Sequence, residues 1–334
     1  MTVEIEYGAA SDTGRVRSRN EDSYLVWMPE APEQEPRAVF LVADGMGGHE
    51  AGDVASRFVV AELERAIAGG QTFSGQRFDE PMRRWFSGVS RSLVHLAESR
   101  GASRGMGSTA SLVVLIGRRL VLGHVGDSRI YRWRQGALEQ LSLDHSFAEE
   151  QRRRGLLTAE EALHHPQRNL LTQALGVDTE LDVQTAELDW QSGDRFLLCS
   201  DGLHGPVTLE EITERMDERH SPQESAEALV AKANDAGGPD NITAVIFELR
   251  GEGAPEPILE PQGTSTLPDD DAPTDPNPFA GDDLLDTDPR GAWAESGGET
   301  APAAAKGGPP KWAWVVLAIA VVLAAVLLFG ALRS

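Results

Sequence analysis

Short apolar runs recur through residues 1 to about 250, each ending at a Gly, an Asp or an Arg-rich turn. Val, Ile, Leu and Phe dominate residues 38–43, 110–116, 120–125, 129–133, 196–199 and 242–249. These runs predict strands. Gly117-Arg118-Arg119 and Gln135-Gly136 have the composition of hairpin turns, so part of the sheet is predicted to be antiparallel. Helices are predicted at about 52–69, 79–99, 208–218 and 222–235. In the second, Met82, Trp85, Phe86, Val89, Leu93 and Leu96 recur at helical spacing, a stripe suited to core packing. Consecutive hairpins with paired long helices predict sheets packed together and covered by helices, not a regular β-α-β succession.

The pattern changes beyond residue 250. Residues 251–311 are rich in Pro, Gly, Asp, Glu, Ala and Thr, as in Pro268-Asp269-Asp270-Asp271-Ala272-Pro273, and predict a disordered acidic linker. From Val315 to Leu332 there is no charge, and Trp312 and Trp314 precede the run. As a helix this segment would span ~30 Å, the hydrocarbon thickness of a bilayer, with the tryptophans in the interfacial belt. The expected organisation is therefore a folded domain over 1–250, a linker over 251–311 and a transmembrane helix over 312–332.

Charge narrows the function. The 334 residues include 30 basic and 53 acidic groups, a formal net charge of −23. Non-specific nucleic-acid binding needs clustered Lys and Arg, so a nucleic-acid partner is not expected. Cys199 is the only cysteine and lies inside an apolar run, which reads as a small core residue and excludes an internal disulfide. The opening segment Met1-Thr2-Val3-Glu4-Ile5-Glu6-Tyr7 is acidic and does not read as a signal peptide.

Four aspartates stand at the sharp ends of apolar runs: Asp22, Asp44, Asp201 and Asp240. Carboxylates are costly to bury singly, and a hard divalent cation both takes oxygen ligands and offsets their repulsion. The four read as one metal site. Asp44-Gly45-Met46-Gly47-Gly48-His49 delivers an aspartate from a strand into a Gly-rich turn, where Gly45 can offer its carbonyl and His49 a proton. Arg17 precedes the acidic pair Glu21-Asp22 by a few residues, and a guanidinium can hold a phosphate through two parallel hydrogen bonds beside a metal. Gly126-Asp127-Ser128-Arg129 lies between two predicted strands and by itself reads as a hairpin turn.

These segments carry a resemblance. In order they are Arg17-x-x-Asn20-Glu21-Asp22, Asp44-Gly45-Met46-Gly47-Gly48-His49, Gly107-Ser108-Thr109, Gly126-Asp127-Ser128-Arg129, Ser200-Asp201-Gly202 and Asp240-Asn241-Ile242-Thr243. Over roughly residues 5–250 the chain resembles the bacterial metal-dependent Ser/Thr protein phosphatases of type 2C. The resemblance implies an α+β fold, a four-layer α-β-β-α sandwich of two antiparallel sheets flanked by helices, with metals at one end. It implies that Asp44 bridges two manganese or magnesium ions. Asp22, Asp201 and Asp240 would complete that site, with the Gly45 carbonyl and water-mediated help from Glu21. Asp127 would hold a third, weaker ion together with Asp201. Arg17 would bind the substrate phosphate, and His49 is the candidate acid for the leaving serine or threonine oxygen. The implied reaction is hydrolysis of phosphoserine and phosphothreonine by a metal-bridging water.

Residues 144–176 correspond to the family's flap, a variable region beside the active site. Three positions depart from the family pattern: Gln173 stands where relatives often have Arg, His204 where Thr is frequent, and Met46 where eukaryotic relatives have His. None removes a metal ligand. The expectation is a single-pass enzyme of the cell membrane with a cytoplasmic catalytic domain. Its partners would be phosphorylated proteins, Ser/Thr protein kinases and their substrates. The alternatives are a phosphatase dedicated to a phosphorylated anti-sigma-factor antagonist, for which no sensor domain is visible, and a non-catalytic phosphoprotein adaptor, which should have lost metal ligands.

Overall fold

Strands and helices over the first 250 residues build four layers. The computed structural model describes residues 3–31, 34–47, 51–70, 78–99, 105–177, 180–217 and 219–251. His49 and the linker and membrane helix expected beyond residue 251 lie outside the described residues. The chain divides into two units, Met1–Thr264 and Ser265–Ser334, and only the first contains described residues. Among the described residues no helix is long and apolar enough to cross a membrane.

One sheet has the order β1-β11-β10-β7-β8, formed by β1 (Glu4–Asp12), β11 (Ile242–Arg250), β10 (Asp194–Cys199), β7 (Arg129–Arg134) and β8 (Ala137–Gln140). The other has the order β2-β3-β5-β6-β9, from β2 (Asp22–Trp27), β3 (Ala38–Met46), β5 (Ala110–Ile116), β6 (Arg119–Val125) and β9 (Gln184–Leu188), with the short β4 (Gly107–Ser108) paired to β3. Every named pairing is antiparallel, and the expected hairpins join β5 to β6 and β7 to β8.

Alternation along the central strands separates three cores. Phe40, Val42, Val113, Leu115, Phe196, Leu198, Val245 and Phe247 pack between the sheets, where Phe40 and Phe247 stack. Val39, Leu41, Leu112 and Val114 point the other way, onto α1 (Ala51–Ala68) and α2 (Asp79–Ser99). Met82, Phe86, Val89 and Leu93 of the predicted stripe are buried there, with Leu96 packed at its margin. On the opposite sheet Leu197, Cys199, Ala244 and Ile246 face α6 (Leu209–Arg215) and α7 (Pro222–Asp235). Central strands thus bury both faces, which is why they read as unbroken apolar runs. Burial raises the Cys199 thiol to about 12, as expected of an inert core cysteine.

Candidate active site

Antiparallel pairing brings the aspartates to one end of both sheets. Asp22 opens β2 and Asp44 nearly closes β3, and the register sets them directly opposite each other. In the other sheet β10 ends at Cys199, beside the start of β7 and close to the start of β11. Asp201, Asp127 and Asp240 lie just beyond those three strand ends. Asp201 begins a single helical turn, α5 (Asp201–His204). The glycine after each of two aspartates serves close approach. A Cβ on Gly45 would stand 2.0 Å from the Gly52 carbonyl oxygen, and one on Gly202 2.0 Å from that of Asn241.

Hydrogen bonds stitch the two sheets together here. Ser200 Oγ donates to Asp22 Oδ2 at 2.7 Å, and Thr243 N donates to Ser200 Oγ at 3.0 Å. The Asn241 amide clamps the loop that carries Arg17. Its Oδ1 accepts from Glu21 N at 2.8 Å, and its Nδ2 donates to the carbonyls of Thr13 (2.9 Å) and Arg19 (2.8 Å). The Arg17 guanidinium is half exposed and donates to Asp240 Oδ2 at 2.7 Å.

The carboxylates repel one another at a site where Asp22 is buried and Asp44, Asp127, Asp201 and Asp240 are partly so. Burial, then Asp22, Asp201, Asp127 and Asp240, push Asp44 well above the usual carboxylate range. Burial chiefly raises Asp22 to about 7, against hydrogen bonds from Ser200 and Thr243, with Asp201 and Asp240 raising it further. Asp127 is raised by burial and by Asp201, and Asp201 by burial and by Asp240. Burial also raises Glu21, with Arg17 opposing it. The bond to Asp240 raises Arg17.

This donor set fits a divalent cation in its chemistry. It is made of hard carboxylate oxygens, and Asp22 Oδ1 is buried with no hydrogen-bond partner. Among the described residues no three carboxylate, imidazole or thiol groups are yet drawn together at coordinating geometry. Several of the oxygens are engaged elsewhere: Asp22 Oδ2 with Ser200, Asp240 Oδ2 with Arg17, and Asp240 Oδ1 with Asn241 N.

Asp127 sits on a braced loop. His204 Nε2 bonds to its carbonyl oxygen at 3.0 Å, and His124 Nε2 bonds to the Gly126 carbonyl at 3.0 Å. Burial holds both imidazoles neutral, His204 down to about 4 and His124 to about 3. Arg129 forks onto Asp144 and ties the loop to the start of the flap. The flap turns through α3 (Phe147–Arg153) and α4 (Ala159–Leu163). Between these helices and the aspartates runs a groove of about 590 Å³, lined by Asp127, Asp201, Asp240, Arg152 and Leu163 among others.

A sequence model of the family described as Protein phosphatase 2C matches residues 15–235. The chain belongs to the protein phosphatase 2C family. The Serine/threonine phosphatase stp of Listeria monocytogenes is 37% identical over 239 residues, covering 71% of this chain and 93% of that relative. Serine/threonine protein phosphatase PstP of Mycobacterium tuberculosis is 37% identical over 286 residues, 84% of this chain and 52% of PstP. A crystal structure of the PstP catalytic domain in complex with two manganese ions superposes with a TM-score of 0.64 at 35% identity, covering 75% of this chain and all of that one. The α+β arrangement of two antiparallel sheets with helices is that of the solved phosphatase 2C structures.

The fold gathers Arg17, Glu21, Asp22, Asp44, Gly45, Asp127, Asp201 and Asp240 at one end of the sandwich; of the expected site residues only His49 lies outside the described residues. Ser200, Asn241, Thr109 and Ser128 bind the aspartate-bearing turns, and no reading of the sequence gave them that role. For Ser200, Asn241 and Ser128 the available signal was adjacency to Asp201, Asp240 and Asp127, whereas Thr109 has no aspartate beside it in the chain. His204 braces Asp127, and Gln173 accepts from Asp182 N at 2.7 Å through its Oε1.

Proposed function

We propose that this chain removes phosphate from phosphoserine and phosphothreonine in proteins at the Asp22–Asp44–Asp127–Asp201–Asp240 cluster. One observation supports this most: Asp22, Asp127, Asp201 and Asp240, carried by two sheets, all lie near enough to Asp44 to raise its carboxyl, and a half-exposed Arg17 stands beside them. Asp22, Asp44, Asp201 and Asp240, with the Gly45 carbonyl and Glu21 through water, would hold two Mn²⁺ or Mg²⁺ ions, and Asp127 with Asp201 a weaker third. Such ions supply Lewis acidity toward phosphoryl oxygens and an activated water at neutral pH.

The chain's own groups bind and orient. Arg17 turns part of its fork from Asp240 to the substrate phosphate, where charge-assisted bonds are strongest. Asn241 keeps the Arg17 loop in register with Asp240. Ser200 fixes the Asp22 carboxylate, so that one of its oxygens stays free. His49 protonates the leaving serine or threonine oxygen. The membrane helix at 312–332 tethers the catalytic domain on the cytoplasmic side, and the acidic linker lets it reach Ser/Thr kinases and their substrates at the membrane.

The test is turnover of a phosphothreonine peptide with manganese and with chelator. Full activity in the metal-stripped protein would refute the metal assignment. If His49 is the acid, His49→Ala lowers kcat mainly for alkyl phosphates, whose leaving oxygen needs a proton. An equal loss on aryl phosphates would remove His49 from that role.

A further inference from the structure

Asp44 and Asp127 belong to different turns, yet one buried side chain touches both. Thr109 follows β4 and is 2% exposed, while Ser128 is fully buried. Thr109 Oγ1 accepts from the Asp44 backbone N at 2.9 Å, and Thr109 N donates to the Asp44 carbonyl at 2.8 Å. The same Oγ1 lies 2.8 Å from Ser128 Oγ, one of these hydroxyls donating to the other. The Thr109 methyl completes the contact. A Cβ on Gly126, whose φ is +113°, would stand 2.5 Å from Thr109 Cγ2. The turn Gly126-Asp127-Ser128 therefore rests on Thr109 through both a hydroxyl and a methyl.

We propose that Thr109 and Ser128 are positioning residues that couple the Asp44 strand end to the Asp127 turn, so that cation binding at one carboxylate changes affinity at the other. The coupling rests on the metal reading above and goes beyond it. A backbone shift at Asp44 moves the hydroxyl that holds Ser128, and a shift at Asp127 moves the hydroxyl that holds the Asp44 N–H. Linkage makes the effect reciprocal. Valine keeps the shape of threonine but leaves the Asp44 N–H and the Ser128 hydroxyl unpaired in a dry place, whereas serine keeps the hydroxyl and loses only the methyl.

The experiment is calorimetric titration of Mn²⁺ into the full-length chain in detergent. The variants are Thr109→Val, Thr109→Ser and Ser128→Ala, each with and without Asp127→Asn, and each checked for folding by circular dichroism. Thr109→Val, which loses the bonds to both the Asp44 N–H and the Ser128 hydroxyl, is expected to weaken Mn²⁺ binding about tenfold, and Thr109→Ser to restore most of it. Asp127→Asn should cost less affinity in the Thr109→Val background than in the wild type, because the coupling is already broken. A part played only in folding would lower the melting temperature of Thr109→Val and leave its affinity per folded molecule unchanged. Equal affinities for Thr109→Val and wild type, or strictly additive losses with Asp127→Asn, would overturn the coupling. If Thr109→Val fails to fold, Ser128→Ala carries the same comparison, with the same outcome deciding. Absence of any Mn²⁺ binding by the wild-type chain would overturn the metal reading, and the coupling with it.

Discussion

Asp22→Asn exchanges one negative charge among Asp44, Asp201 and Asp240 for a neutral amide of the same shape. Asp22 is 7% exposed, and its carboxyl is raised from 3.8 to about 7. A carboxyl whose native pKa lies above its unfolded one binds a proton on folding between those two values. Its penalty is therefore absent below pH 3.8, grows with pH and is complete above about 7. The rise corresponds to about 4 kcal/mol at about 1.4 kcal/mol per pH unit. Burying an amide has its own desolvation cost, about half of that sum. In chelator at pH 8 the variant should then be about 2 kcal/mol more stable than the wild type, a rise of about 4–8 °C in Tm for a domain of this size. At pH 5 the advantage should nearly vanish. With saturating Mn²⁺ the order should reverse, because only the wild type keeps its full affinity for the cation. The assay is a thermal melt at pH 5 and pH 8, with chelator and with Mn²⁺. A variant no more stable than the wild type in chelator at pH 8, or one whose gain is the same at pH 5, refutes the electrostatic account of this site.

Arg17→Ala should raise KM for a phosphopeptide severalfold and lower kcat less, as steady-state kinetics will show; a pure kcat loss would place Arg17 elsewhere in the mechanism. Asn241→Ala removes the bonds to Thr13, Arg19 and Glu21, so a loss of about 2–4 kcal/mol is expected in denaturant titration, with a KM rise like that of Arg17→Ala because the same loop is loosened. Deleting residues 312–334 should move the protein to the soluble fraction with peptide turnover nearly unchanged and slower dephosphorylation of a membrane kinase; fractionation tests the anchor, and a truncated protein without peptide activity would contradict the tether.

Burial decides which elements could be read along the chain. The runs that became β3, β5, β6, β7, β10 and β11 lie inside the sandwich, and all but β7 are buried along most of their length, so composition alone revealed them. Edge strands β1, β2, β8 and β9 are half exposed, and Glu4-Ile5-Glu6-Tyr7-Gly8-Ala9 or Ala137-Leu138-Glu139-Gln140 has no apolar run to mark it. α1, α2 and α7 show helical spacing over three or more turns, whereas α3, α4 and α5 are too short for a period. α4 was not predicted, although the structure shows that Thr158 and Glu161 cap it reciprocally.

The sequence by itself determined which side chains stand at strand ends. Aspartates followed by glycine at the close of apolar runs are a local pattern, and Asp44-Gly45 and Asp201-Gly202 display it. That these ends meet is a property of the tertiary structure. Antiparallel register sets Asp22 opposite Asp44, neighbouring strands place Asp127, Asp201 and Asp240 together, and packing of the two sheets joins the groups. The partners Ser200, Asn241, Thr109 and Ser128 depended on that packing. A small polar residue acquires a role through the donor or acceptor folded against it, and hydrophobic periodicity holds no record of that partner.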